Sequence, residues 1–341
     1  PAAAQNFFRM MENAQVIKQE REAGLRGGGG VRIIPVVFHV IHEGGAENIS
    51  KEQIEDQIRV LNEDFTRTNA DTVNTRAIFL PVAANPNINF RLAQIDPDGN
   101  CTEGITRTFS SQTDNAGDNV KALAWWDNAK YLNIWVVKSI ASDGTTGGIT
   151  LGFSSLPGFG GGDNDGIVVR ADCVGTIENV NTQLAGTGRT LTHEIGHYLG
   201  LMHTFQGGCN PTFFGETIDD TPPVADASFG CDTTANSCTN DNPDLPDMIE
   251  NYMDYANDEC MNIFTLGQKD VFESTLQDIR DVLISSENLI ATGTDGTAAV
   301  PCAPVADFYA ENTMACEDEV VTFTDDSYNG TVDTRAWSFP T

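Results

Sequence analysis

The strongest regularity in the chain is the continuous apolar run Ile33-Ile34-Pro35-Val36-Val37-Phe38-His39-Val40-Ile41, which predicts a strand buried on both faces. Ser50 followed by Gln53 has the form of a capping box, and behind it Ile54, Ile58, Leu61 and Phe65 form the buried stripe of a helix. Further apolar segments predict strands over 88–95, 132–137, 148–153 and 167–169. Strand, helix and then more strands predict an α/β half with a mostly parallel sheet. A helix follows at about 187–201, and the long stretch 204–262 is rich in Asp, Asn, Pro, Gly and Cys with little periodicity. Loops of that length are usually functional or cross-linked. Thr265 with Gln268 is a second capping box, opening a helix with the stripe Phe272, Leu276, Ile279 and Leu283.

The two ends read differently. Residues 1–23 predict a polar helix with few anchors (Phe7, Phe8, Met11, Val16, Ile17), ending in a glycine run at 27–30 that cannot pack. Residues 1–30 are thus expected to be a pro-segment remnant or linker. Residues 292–303 read as a second linker, and from Val320-Val321-Thr322-Phe323 an alternating all-β pattern begins.

Composition narrows the function. Nineteen Lys and Arg against 49 Asp and Glu give 341 residues a formal charge of −30. Such a chain cannot neutralise phosphates, which excludes sequence-independent nucleic-acid binding. No apolar run reaches the ~18 residues of a membrane span. The eight cysteines are even in number with no C-x-x-C pair, which argues for disulfides formed outside the cytosol and against a zinc ribbon.

The chemistry concentrates in His193-Glu194-Ile195-Gly196-His197-Tyr198-Leu199-Gly200-Leu201-Met202-His203, which holds three of the five histidines. On a helix His193 and His197 lie one turn apart on one face and present ring nitrogens to one ion. Leu191, Ile195 and Leu199 fall on the far side and bury. Glu194 is angled beside the ion, where a general base for an attacking water belongs. Gly200 lets the chain turn sharply and bring in His203 as third ligand. Three neutral imidazoles with one open position make a catalytic rather than a structural zinc site. The extended H-E-x-x-H-x-x-G-x-x-H pattern is a zinc-protease signature.

Residues 193–203 resemble the metzincin metallopeptidases. Asn251-Tyr252-Met253-Asp254-Tyr255 is similar to their Met-turn, and together with the first strand, ending His39-Val40-Ile41-His42, the match is to the pappalysin family over about residues 32–285. The resemblance implies an α+β metzincin fold with an upper α/β subdomain (31–203) and an irregular, disulfide-stapled lower one (204–291). It implies that Met253 floors the site and that Tyr255 hydrogen-bonds the oxyanion. The spacing of Cys209, Cys231, Cys238 and Cys260 leaves three connectivities open; the family pattern gives Cys209–Cys238 and Cys231–Cys260. Cys101–Cys173 and Cys302–Cys316 then remain by elimination.

The resemblance also implies calcium in the loop holding Asp219, Asp220 and Thr221, whose oxygens suit a hard cation. Asp163-Asn164-Asp165-Gly166 has a similar look that turn chemistry explains equally well. In such enzymes an acidic residue just before the last of these cysteines selects Lys or Arg after the scissile bond; here Asp258 and Glu259 precede Cys260, and Glu259 stands where Asp is expected. Arg26 and Arg32 flank the glycine run, so self-cleavage before one of them is expected. No Cys precedes 101, so a cysteine latency switch would lie upstream of Pro1 or be replaced by a carboxylate. An extended substrate is expected to pair with the strand at 148–153, through Gly148, Ile149, Thr150 and Leu151. Residues 304–341 resemble the start of a polycystic-kidney-disease-type β-sandwich. The resulting expectation is a secreted zinc endopeptidase. The alternatives are a zinc amidase of narrow specificity and an inactive surface binding module, the latter disfavoured by an intact Glu194.

Overall fold

The computed structural model describes the chain except residues 1, 26–29, 143–148, 184–185, 212–215, 298–300, 311–313, 317, 331 and 339–341. Helix α1 (Ala2–Glu22) buries Phe7, Met10, Ala14 and Ile17, one face of a 3.6-residue repeat, while Val16 stays half exposed. Strand β1 (Arg32–His42) is buried along almost its whole length, as its unbroken apolar run requires. Helix α2 (Lys51–Phe65) starts at Ser50, whose Oγ accepts from Gln53 N at 3.0 Å. The box is only half formed, because the Gln53 amide instead donates to the carbonyls of Ala171 and Val174 at 3.2 and 2.9 Å.

Strands β2 (Ile88–Leu92) and β3 (Ile105–Phe109) pair in parallel with the first and second halves of β1. Strand β2 stops short of residue 95 because Gln94 N and Ile95 N turn to the carbonyl of Thr292. On the other side of β1 lies β4 (Leu132–Val137), then β6 (Ile167–Arg170), both parallel, with the antiparallel β5 (Gly152–Ser154) at the edge. The sheet is thus mostly parallel. One face carries Ile34, Val36, Phe38, Val40, Ile134 and Val169 against Ile54, Leu61 and Phe65 of α2 and Leu191 and Ile195 of α3 (Arg189–Tyr198). The other holds Ile41, Trp135 and Val137 over Ala116 and Val120.

After α3 the described residues run without a regular helix or strand until α4 (Leu266–Asp278), opened by the complete box of Thr265 and Gln268. Helix α1 docks on α4: Ser274 Oγ donates to Met10 O at 2.7 Å and Arg21 pairs with Asp270 at 2.8 Å. Helix α5 (Ser286–Ala291) follows, then the hairpin of β7 (Phe308–Ala310) and β8 (Phe323–Asp325). Among the described residues no helix is long and apolar enough to cross a membrane.

The cysteines depart from expectation in part. Cys209–Cys238 and Cys231–Cys260 staple the irregular region. Cys101, however, pairs with Cys302, their Cα atoms 5.5 Å apart, and not with Cys173. Cys173 is sealed in the main core, where a surface cysteine cannot reach it, and burial pushes its thiol up to about 12. Cys316, expected opposite Cys302, is exposed and free.

Candidate metal centre

Helix α3 sets the first two histidines, and Leu191 and Ile195 bury its opposite face. Gly200, at φ 102°, breaks the helix in the left-handed region, and Leu201 N donates back to Gly196 O at 2.9 Å. This turn returns His203 to the helix. Nε2 of His197 then lies 3.1 Å from Nε2 of His193 and 3.0 Å from Nε2 of His203. His193 Nδ1 donates to Tyr252 O at 2.7 Å and His197 Nδ1 to Leu201 O at 2.8 Å. Those bonds put the protons of His193 and His197 on Nδ1, so their facing Nε2 atoms carry lone pairs. Lone pairs that close repel one another unless a cation sits between them, and zinc at about 2.0–2.1 Å from each nitrogen fits the separation.

Burial favours the neutral rings. It lowers the pKa of His193 well below the ordinary value, helped by His197 and His203, and lowers that of His203 to about 3. Neutral imidazole is the form that binds a metal. Burial also pushes Glu194 up to about 8. Its carboxylate lies against β5: a Cβ on Gly152 would meet Glu194 Cγ at 2.9 Å and Oε1 at 3.0 Å. The expected edge strand therefore begins later than foreseen. Ile149, Thr150 and Leu151 lead into it, Leu151 O accepting from Arg170 N at 2.9 Å, and Gly148 lies outside the described residues.

Met253 is fully buried, its sulfur pressed on Gly196 of the helix that carries His193 and His197. The Tyr255 ring lies 4.9 Å from that of His203 and 5.6 Å from that of His193, half exposed on the open side. Asp64, absent from the sequence reading, ties three elements together. It accepts from Thr192 Oγ1 at 2.8 Å and Tyr252 Oη at 2.9 Å, and lies 3.5 Å from Arg189. A carboxylate inside an amphipathic helix gave no signal of that role.

The acidic pair before Cys260 splits. Asp258 Oδ2 accepts from Thr187 Oγ1 at 3.0 Å and Thr187 N at 3.2 Å, at the start of α3, where the N-cap Gly188 has no side chain to offer. Glu259 is exposed, 3.6 Å from the Cys231 sulfur. In the lower loop Asp219 is mostly exposed and pairs with Lys18 at 2.5 Å, whereas Asp220 and Thr221 point inward. Asp220 Oδ1 and Thr221 Oγ1 are buried without a hydrogen-bond partner. Beside them Glu216, which the sequence did not flag, is held well above the carboxylate range by burial. The Asp165 carboxylate of the second acidic turn is committed to Arg280 at 2.7 and 3.0 Å.

The model of the peptidase M43 family, described as pregnancy-associated plasma protein-A, matches residues 114–277. An extracellular metalloprotease of Verticillium alfalfae is 33% identical over 260 residues, 73% of this chain and 78% of that protein. Extracellular metalloprotease 1 of Coccidioides posadasii is 31% identical over 240 residues, 69% of this chain and 73% of that protein. Among solved structures, mature mirolysin of Tannerella forsythia with a cleaved peptide superposes with a TM-score of 0.69. It is 38% identical, covering 78% of this chain and 99% of that one. Promirolysin of the same organism gives 0.67 at 37% identity, covering 80% and 91%. Sequence likeness, shared fold and the histidine cluster agree: the chain belongs to the pregnancy-associated plasma protein-A (pappalysin) family and is a zinc metalloprotease.

Proposed function

We propose that the protein is an exported endopeptidase in which His193, His197 and His203 hold the zinc and Glu194 is the general base. The observation that carries this is the convergence of three Nε2 atoms next to a buried carboxylate that no cation among the described residues neutralises. Zinc, when bound, polarises the scissile carbonyl and makes a water acidic enough to attack. Glu194 takes that water's proton and hands it to the leaving nitrogen. Tyr255, beside the histidines, donates a hydrogen bond from its hydroxyl to the developing oxyanion. Strand β5, at the sheet edge and against Glu194, receives the extended substrate as an added strand. Mirolysin captured with a cleaved peptide supports a peptide substrate.

Asp258, rather than Glu259, is the carboxylate that selects Lys or Arg after the scissile bond. It is half buried at the start of α3, whereas Glu259 lies out against a disulfide. Glu216, Asp220 and Thr221 fit a calcium ion, since their inward oxygens include two without partners. Relatives named extracellular and three disulfides support export. Helix α1 is part of a segment released on maturation, joined to β1 through the glycine run; a promirolysin among the relatives supports this.

The test is digestion of a denatured protein mixture with the new N-termini mapped by mass spectrometry. Cuts before Lys and Arg, absent with Glu194→Ala and redistributed with Asp258→Asn, are expected. Zinc-loaded protein that makes no cuts would overturn the endopeptidase reading.

A further inference from the structure

The stretch returning from β5 to β6 is held by two buried cations, although loops at a sheet edge are usually solvated. Lys121 is 1% exposed. Its ammonium donates to Asn164 O at 2.8 Å and to Ser155 Oγ at 3.4 Å, and pairs with Asp118 at 2.9 Å. It also lies 5.1 Å from the ring centre of Phe153, in β5, and 5.7 Å from that of Trp135, in β4. Arg280 grips the next residue, Asp165, through both carboxylate oxygens, and its Nε donates to Tyr198 O at 3.1 Å. Its guanidinium lies 3.4 Å over the Tyr198 ring, one residue past His197.

These contacts close a circuit. Gly152 abuts Glu194, Phe153 and Ser155 meet Lys121, Asn164 and Asp165 follow, and Arg280 returns to the end of the zinc helix. Burying a lysine costs free energy that an apolar chain of similar length would avoid. Methionine in its place could still pack on Phe153 and Trp135 but could not hold the Asn164 carbonyl and the Ser155 hydroxyl. What the charge adds is a fixed position for the end of β5.

We propose that Lys121 and Arg280 are positioning residues that fix Gly152–Ser154 relative to Glu194, so that an extended substrate pairs with the edge strand in one register. This rests on the strand-pairing reading above. Loss of register removes pairing that the bound peptide and its transition state share, which raises KM and leaves kcat.

The experiment compares two fluorogenic substrates with the same scissile bond, one extended along the edge strand and one truncated to the flanking residues. Zinc content and Tm are measured alongside. Lys121→Met is expected to raise KM for the extended peptide about tenfold with kcat within about twofold, and to leave the truncated peptide unaffected. Ser155→Ala, a milder change at the same contact, is expected to move KM the same way and keeps the test open if Lys121→Met fails to fold. Equal losses with both substrates, or no change with either, would overturn the positioning role. If the wild-type enzyme handles both peptides with the same KM, strand pairing itself is withdrawn, a result visible before any variant is made.

Discussion

The sulfur of Met253 rests on the Cα of Gly196, in the space a Cβ there would need. The Met-turn and the zinc helix are therefore in contact at the residue midway between Glu194 and Tyr198. Met253 is fully buried and cannot swing into solvent. Gly196→Ala should push it down and tilt the turn that holds Tyr252 O on His193 Nδ1. The expected outcome is a loss of about 1–3 kcal/mol in unfolding free energy, as for other overpacked cores. Weaker zinc retention in a chelator competition should accompany it. Unchanged retention would show that the floor does not set the ligands.

Gly152 stands in the same relation to Glu194. A methyl group there would meet Cγ and Oε1 at 2.9 and 3.0 Å, so Gly152→Ala has to displace the carboxylate or the strand. If Glu194 is the base, kcat should fall about tenfold or more, since small displacements of a reacting group are costly. Steady-state kinetics with metal content checked would show it; a full-rate variant with a raised KM for an extended peptide would mean that the strand moves instead, and full rate with unchanged KM would argue against the contact between Gly152 and Glu194.

These two glycines show where the sequence could be read and where it could not. The helix carrying His193 and His197, the turn at Gly200 and the return of His203 follow from local spacing and one special backbone position, all written within eleven residues. Strand β1 was legible because both of its faces are buried. What contacts Gly152, Gly196 and Asp64 depends on partners far away in sequence, and no local periodicity records that. The end of β2 was misplaced for the same reason, since Gln94 and Ile95 leave the sheet for Thr292. Cys101–Cys302 could not be deduced by elimination, because elimination assumed that every cysteine pairs.

The calcium assignment carries a pH dependence of definite sign. Burial holds the Glu216 carboxyl well above its ordinary range, so in the ion-free protein it keeps its proton to higher pH than an exposed carboxyl would. Calcium binds the carboxylate and must expel that proton, so affinity should rise with pH and binding should release protons. Isothermal titration in buffers of different ionisation enthalpy measures both. Glu216→Gln, which has no proton to lose, should weaken binding and flatten the pH dependence. Equal affinity across the range would sink the assignment. Without a cation, the same raised pKa makes the folded protein lose stability as pH rises from the unfolded carboxylate's value towards the folded one.

The C-terminal hairpin is seated on the catalytic domain by more than its disulfide. Tyr309 stacks on Phe109 at 4.7 Å and meets His42 edge-on at 5.5 Å, with its hydroxyl against Gly44. Asp326 pairs with buried His42 at 2.8 Å and accepts from Asn48 at 3.1 Å, and Asn329 Oδ1 accepts from Glu103 N at 2.9 Å. A proteolytic nick between residues 292 and 300 should therefore leave the hairpin attached through Cys101–Cys302, and reduction alone should not free it. Tyr309→Ala removes the stacked ring, worth about 0.5–1.5 kcal/mol beyond its buried area, and opens the cover over His42. The nicked, reduced variant should then separate on gel filtration, while the nicked, reduced wild type stays whole. Separation of both would assign the docking to the disulfide, and separation of neither would assign it to the polar contacts of Asp326 and Asn329.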